Sequence, residues 1–348
     1  MRWYAVATPG LEPITRDELG TGEVLPGGVR FSAEIGDALS RLRMLRTPSR
    51  LLAELGEGPA RSLEELDMVV RRVAWKQWLH PAAQVEVHAT LAKSRLRFRE
   101  SVEKRVAHVV REALKGPRVV DRGARPTMPQ RVQVRVLEDR ATVSLDAGGE
   151  LLHVRGWRAE QGPAPIRENL AAAMVLASGW TGEEPLYDPF CGSGTIAIEA
   201  ALLAAGRSPY GRRRFAYEEW PCAPKVRVAE GRGVAPVYAS DRDARVLGAA
   251  EANTRRAGVE VTLRRCDVAD AEPPAATGIV VTNPPYGLRL GEGNVWRAFG
   301  EVWRARFAGW RAYFLAPEPA QAMQVHRSAR RLLHFSNGGV RVGLYVVG

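Results

Sequence analysis

The 348-residue sequence has little cysteine: three in all, Cys191, Cys222 and Cys266. None forms a CxxC pair or any other zinc-like spacing, and an odd count with no secretory leader argues against a disulfide framework. Histidine is also scarce. The six histidines, His80, His88, His108, His153, His326 and His334, show no ligand spacing, so no metal is expected. No apolar run reaches the roughly 20 residues needed to span a bilayer. The opening MRWYAVATPG lacks the charged-then-apolar order of a signal peptide. A soluble, cytoplasmic chain with no membrane association is expected, most simply a monomer. Lysine is rare too, five against 45 arginines, a ratio that a GC-rich genome explains. Codon bias does not explain a net charge of +11 and a pI near 10. That excess favours a polyanionic partner.

Pattern divides the chain into modules. In residues 1–55, WYAVAT (3–8) alternates like a strand. LEPITRDEL and AEIGDALSRLRML have helical spacing, 28–31 is a short strand, and RLLAEL continues a small α/β unit with no catalytic constellation. In residues 56–152, SLEELDMVVRRVAWKQWL (62–79) predicts one helix, capped by Ser62 with Glu65 completing a capping box. QVEVHATLA (84–92) alternates as a strand, SVEKRVAHVVREALKG (101–116) is an amphipathic helix, and residues 131–157 read as three strands joined by turns. Residues 61–135 carry about nine net positive charges. In an extended segment Lys93, Arg95, Arg97 and Arg99 fall on one side at period two, with Lys104 and Arg105 close behind. Such a row suits RNA phosphates; a solvated edge is the plainer alternative.

Residues 153–165 end in RAEQGPAP, a linker by its prolines and glycine. Over 166–348 strands alternate with helices, and the end reads as two strands meeting at Asn337-Gly338, a hairpin signal. This argues for a mostly parallel, doubly wound α/β sheet with a terminal antiparallel hairpin.

DPFCGSGT, Asp188 to Thr195, falls at a strand-to-helix junction. Gly192 and Gly194 let backbone approach a ligand, and the following helix offers free N–H groups. The third glycine of a dinucleotide fingerprint is missing. Asp188 stands where a pyrophosphate would have to sit, so the loop suits a cofactor with a positive end, such as the amine and sulfonium of S-adenosylmethionine. Pro189, Phe190, Cys191 and Thr195 complete its contact set. Asp241, with Arg242 beside it, ends the next strand and could take both ribose hydroxyls. Cys266, Asp267 and Val268 follow the third strand, and Asp267 could accept from an adenine amino group. Singly each acid reads as a cap or loop carboxylate; together they recur at successive carboxyl ends of strands. Asn169, in the helix before the loop, could close over the methionine end.

TNPPYG, Thr282 to Gly287, follows the fourth strand of this half. An exocyclic amino group on a base is a poor nucleophile because its lone pair is delocalised into the ring. The Asn283 amide oxygen and a neighbouring carbonyl can accept both N–H bonds and localise that pair. Pro284 and Pro285 keep the acceptors rigid, which is preorganisation. Tyr286 offers a face on which an extruded base can stack. Arg289 follows and could reach a phosphate.

The segments LHVRGWRAEQGPAPIRENLAAAM, DPFCGSGT with IEAALLAA, and NPPYGLRLG resemble the bacterial THUMP-domain guanine-N2 RNA methyltransferases. ATPGLEPITRDEL, TPSRLLAELGE, VAWKQWL and KSRLRFRESVEKRV resemble the ferredoxin-like and THUMP portions of the same family, so the likeness covers nearly the whole chain. It implies ferredoxin-like and THUMP modules that grip structured RNA, and a Rossmann-like domain that binds S-adenosylmethionine. By position it implies Asp188, Phe190, Gly192, Gly194, Asp241 and Asp267 around the cofactor, and Asn283, Pro284 and Tyr286 around the base. 23S rRNA is the favoured substrate. A tRNA branch, an adenine-N6 or cytosine-N4 methylase, and a non-catalytic ribosome-assembly factor are the alternatives.

Overall fold

A computed structural model describes residues 1–115, 128–158, 166–227, 231, 233–286 and 295–348. Two seven-stranded sheets organise it. The first is built from β1 (Arg2–Val6), α1 (Glu12–Leu19), β2 (Glu23–Leu25), β3 (Gly28–Ser32), α2 (Ile35–Leu42), β4 (Arg50–Pro59), α3 (Leu63–Arg71), α4 (Trp75–Trp78), β5 (Val85–Ala92), α5 (Arg99–Leu114), β6 (Gln130–Leu137) and β7 (Arg140–Asp146). Its strand order is β2-β3-β1-β4-β7-β6-β5. All its pairs are antiparallel except β5 with β6. Strand β4 pairs with β1 on one side and β7 on the other, so one sheet and one apolar core run through the first 150 residues.

The second half holds α6 (Glu168–Ala177), β8 (Leu186–Asp188), α7 (Thr195–Ala204), β9 (Val237–Asp241), α8 (Ala244–Ala257), β10 (Thr262–Arg265), β11 (Gly278–Thr282), α9 (Val295–Arg306), β12 (Trp310–Ala316), α10 (Pro319–Val325), β13 (Arg330–Asn337) and β14 (Val340–Val347). The order is β10-β9-β8-β11-β12-β14-β13, parallel through β12 and antiparallel in the last two strands. This is the doubly wound sheet with a terminal hairpin expected from the alternation. β11 is buried at all five positions, as a central parallel strand must be.

Four local expectations fail, and α10 was not anticipated. The helix expected over 62–79 breaks into α3 and α4, because the Trp75 indole donates to Val70 O at 2.9 Å and takes a carbonyl a continuing helix would use. Ser62 caps α3 through Glu65 N at 3.3 Å, but the Glu65 carboxylate accepts from Arg61 N rather than Ser62 N. Residues 151–157 are not a third strand. Arg155 turns its guanidinium onto Leu152 O and Arg46 O, and Gly156 sits at φ +90°. The extended row at 93–99 is broken at both ends: Lys93 has φ +48°, and Arg99 already begins α5.

The halves interlock. Tyr210, Phe215, Tyr217 and Trp220, from the connection between α7 and β9, are buried in the core of the first sheet, while Leu11 is buried in the core of the second. Trp220 Nε1 donates to Gln130 Oε1 at 2.9 Å. Between the sheets lies a buried ionic cluster. Glu199 accepts from Arg155 at 3.0 Å and from Arg46 at 3.4 Å, and each of these side chains is at most 3% exposed. Arg46 also donates to Leu202 O and Arg207 O. Among the described residues no helix is long and apolar enough to cross a membrane.

Candidate active site

Parallel strands leave a crevice at their carboxyl ends where the chain order reverses. Here a cavity of about 830 Å³ opens beyond β8, β9, β10 and β11. Its wall includes Asp188, Pro189, Phe190, Cys191, Gly192, Thr195, Asp241, Arg242, Cys266, Asp267, Val268, Asn283, Pro284, Pro285 and Tyr286. Four segments far apart in sequence thus meet in one place.

Asp188 ends β8 and is only 1% exposed. Its Oδ1 accepts from Thr282 Oγ1 at 2.6 Å and from Phe190 N at 3.2 Å. Burial pushes its carboxyl up to about 7, against the pull of those two donors. Burial likewise raises the Cys191 thiol well above its ordinary range, so this cysteine is an inert wall group. Gly192, at φ +53°, donates its N–H to Asp241 Oδ2 at 3.0 Å, and a Cβ placed on it would meet no atom within 4 Å. Asp241 Oδ1 accepts from Asp243 N at 2.9 Å. Asp267 caps the turn after β10 by accepting from Ala269 N at 3.0 Å. Asn283 Oδ1 is buried with no hydrogen-bond partner among the described residues. Tyr286 is half-buried, and its hydroxyl accepts from Asn337 Nδ2 at 2.6 Å.

Some expected residues lie elsewhere. Gly194 is not on the wall; it caps α7 at φ +84°, and a Cβ there would come within 3.2 Å of the Ala250 methyl. Asn169 is buried away from the cavity and donates to Thr47 O at 3.3 Å, tying α6 to the first half. Arg289 lies outside the described residues. On the first sheet, Lys93 pairs with Glu138 at 3.1 Å, Arg95 with Asp139 at 3.3 Å and Arg99 with Glu103 at 2.8 Å, while Arg105 pairs with Asp67 at 2.5 Å. Arg97 and Lys104 are exposed and make no ion pair among the described residues. Four of these six charges are therefore paired. The wall also contains residues the sequence reading did not place at the site: Ile166, Val295 and Ala298, and Asn337, Gly338 and Val340 of the terminal hairpin. The hairpin turn was legible; that it folds back beside the Asn-Pro-Pro-Tyr loop was not.

Residues 155–341, over half the chain, match the RMKL-like methyltransferase domain family, and residues 60–146 match the THUMP domain. The chain belongs to the RMKL-like methyltransferase family. SMU.472, solved as a complex with SAH, is 28% identical, with 99% of this chain and 97% of that one covered and a TM-score of 0.86. A predicted N6-adenine-specific DNA methylase from Listeria monocytogenes is 29% identical over 99% and 95%, with a TM-score of 0.84. TrmN from Thermus thermophilus, 22% identical over 99% of both chains with a TM-score of 0.71, shares the fold.

The cofactor of this methyltransferase domain is S-adenosylmethionine, and the wall of the cavity fits it. Asp188, Asp241 and Asp267 supply acceptors and negative charge for a ligand with a cationic end and hydroxyls. Arg242, largely exposed and 4.0 Å from Asp267, is the one arginine among the described wall residues. The bare face of Gly192 leaves room for close approach to backbone.

Proposed function

We propose that this methyltransferase acts on an exocyclic amino group of a base in structured RNA, guanine N2, in 23S rRNA before tRNA. The observation that carries the reading is the Asn283 Oδ1, buried with no partner among the described residues. A buried acceptor without a partner costs free energy, roughly 1–3 kcal/mol, and an incoming amino group supplies the missing donor. Pro284 and Pro285 fix the backbone that presents it, so the acceptor does not reorganise as the lone pair localises. Tyr286 supplies an aromatic face beside it. Asp188, Asp241 and Asp267 hold and orient the cofactor. Bound there, S-adenosylmethionine supplies an electrophilic methyl group. No strong base is required, because the alkylated amine becomes acidic and gives its proton to an acceptor or to water. The THUMP domain, the chain's excess of base over acid and exposed Arg97 and Lys104 support RNA as the partner.

A second reading is methylation of adenine N6 in DNA, favoured by the 29% identity to the Listeria protein. The same amide chemistry serves both. Nucleoside mass spectrometry of a deletion strain separates them. Loss of N2-methylguanosine from 23S rRNA is the expected result; intact RNA with lost N6-methyladenine in DNA would overturn the proposal.

A further inference from the structure

The terminal hairpin contributes a second side-chain amide to the cavity. Asn337 is the last residue of β13 and pairs with Val340, while Gly338 and Gly339 make the turn at φ +58° and +87°. A turn with two positive φ values is the tight type that suits glycine, and it leaves Asn337 as the hairpin's polar side chain on the cavity wall. Its Nδ2 donates to the Tyr286 hydroxyl at 2.6 Å. No other hydrogen bond of this side chain is made among the described residues. One N–H is thus spent, and among the described residues the Oδ1 acceptor is unengaged.

The chemistry of a base edge gives this remaining capacity a use. When the N2 amino group of guanine is held, the neighbour on the Watson–Crick edge is an N1–H donor, and the neighbour on the other side is the bare N3. When the N6 amino group of adenine is held, the neighbouring position is a bare acceptor. An unengaged amide oxygen suits the first edge. It is mismatched to the second.

Resting on the reading of the site as an exocyclic-amine methyltransferase, we propose that Asn337 is its base-selecting residue. Its Nδ2 holds the Tyr286 ring in place while its Oδ1 accepts the N1–H of guanine. The terminal hairpin then does more than close the sheet edge: it excludes bases that lack the ring donor.

The test uses the full chain with a synthetic RNA fragment around the guanosine mapped in the deletion strain. A second fragment carries 2-aminopurine riboside at that position, which keeps the 2-amino group but replaces N1–H by a bare acceptor. Wild-type enzyme should prefer guanosine, with kcat/KM higher by about 10- to 100-fold, the range for losing directed hydrogen bonds to a base. Asn337→Ala removes the Tyr286 contact for both RNAs but the ring-donor acceptor for guanosine alone, so kcat/KM should fall further on guanosine RNA than on 2-aminopurine RNA and the preference should collapse. An unchanged thermal midpoint would show that the variant is folded. An equal loss on both RNAs would mean a merely structural role and overturn the inference alone. If the wild type methylates neither RNA at N2, the functional reading falls with it.

Discussion

Asp188 gives the sharpest handle on the cofactor site. Its carboxyl is held near pH 7 by burial, against an ordinary value of 3.8. In the free protein about 3% of it is ionised at pH 5.5 and about three-quarters at pH 7.5. If the ionised form is the one that receives a cationic ligand, affinity for S-adenosylmethionine should rise about 20-fold over that range, since the ligand's own amine stays charged until about pH 7.7. Binding near pH 6 should expel close to one proton, measurable by calorimetry in buffers of different ionisation enthalpy. The sign for stability runs the other way. The folded pKa is raised, so the native state keeps a proton that the unfolded chain has lost. Stability present below about pH 4 is lost as pH rises through 7, by at most about 4 kcal/mol. Cofactor binding should restore part of it. Asp188→Asn should bind more weakly, with a flat profile and no proton release. A wild-type affinity independent of pH, or the same slope in Asp188→Asn, would refute the argument.

Asn283→Ala should leave cofactor affinity near wild type and lower single-turnover methylation by about 10²-fold, the scale for one preorganised polar group; unchanged turnover would remove the amide from the chemistry. Arg97→Ala should reduce the slope of log affinity for RNA against log salt by about 0.7–0.9, and Arg95→Ala by less, because Asp139 already neutralises Arg95. Filter binding at several salt concentrations reads both, and equal slopes in all three proteins would place the phosphate contacts elsewhere. Glu199→Ala leaves Arg46 and Arg155 buried without their shared counter-ion. It should cost about 3–5 kcal/mol in urea unfolding, and a loss under about 1 kcal/mol would show that backbone carbonyls alone hold the two guanidinium groups.

What was legible in the sequence was what a short run of residues fixes by itself. Glycines 192 and 194 need positive φ, two prolines stiffen a loop, and apolar runs between turn signals make parallel strands. These placed most of the cavity wall. What escaped depends on contacts between distant segments. Nothing local to Thr282 says that it will donate to Asp188, 94 residues away. Nothing in Asn169 says that its amide will face Thr47 of the first half. The period-two row from Lys93 to Arg99 was a correct reading of spacing, but it could not see Glu138 and Asp139 on the neighbouring hairpin taking two of its charges. The long helix at 62–79 failed for the same reason on a smaller scale, through one indole hydrogen bond.

The interlocked cores bear on how substrate and site are related. The chain crosses between the sheets in both directions, and Glu199 ties Arg46 of one half to Arg155 at the seam. Separating the halves would expose both apolar crossings and strand buried charges. Their mutual orientation is therefore set on folding rather than by bound RNA. β5 and β6 lead away from that seam, from Gln130, which bonds to Trp220 and to the Ala216 carbonyl, out to Ala92 and Leu137. Eight residues of strand span about 26 Å. Arg97 follows the far end of β5, so RNA phosphates bound there would sit about one strand's length from the seam. On the proposed reading such contacts set affinity and register at a fixed distance, and the methylation step falls to Asn283 and its neighbours.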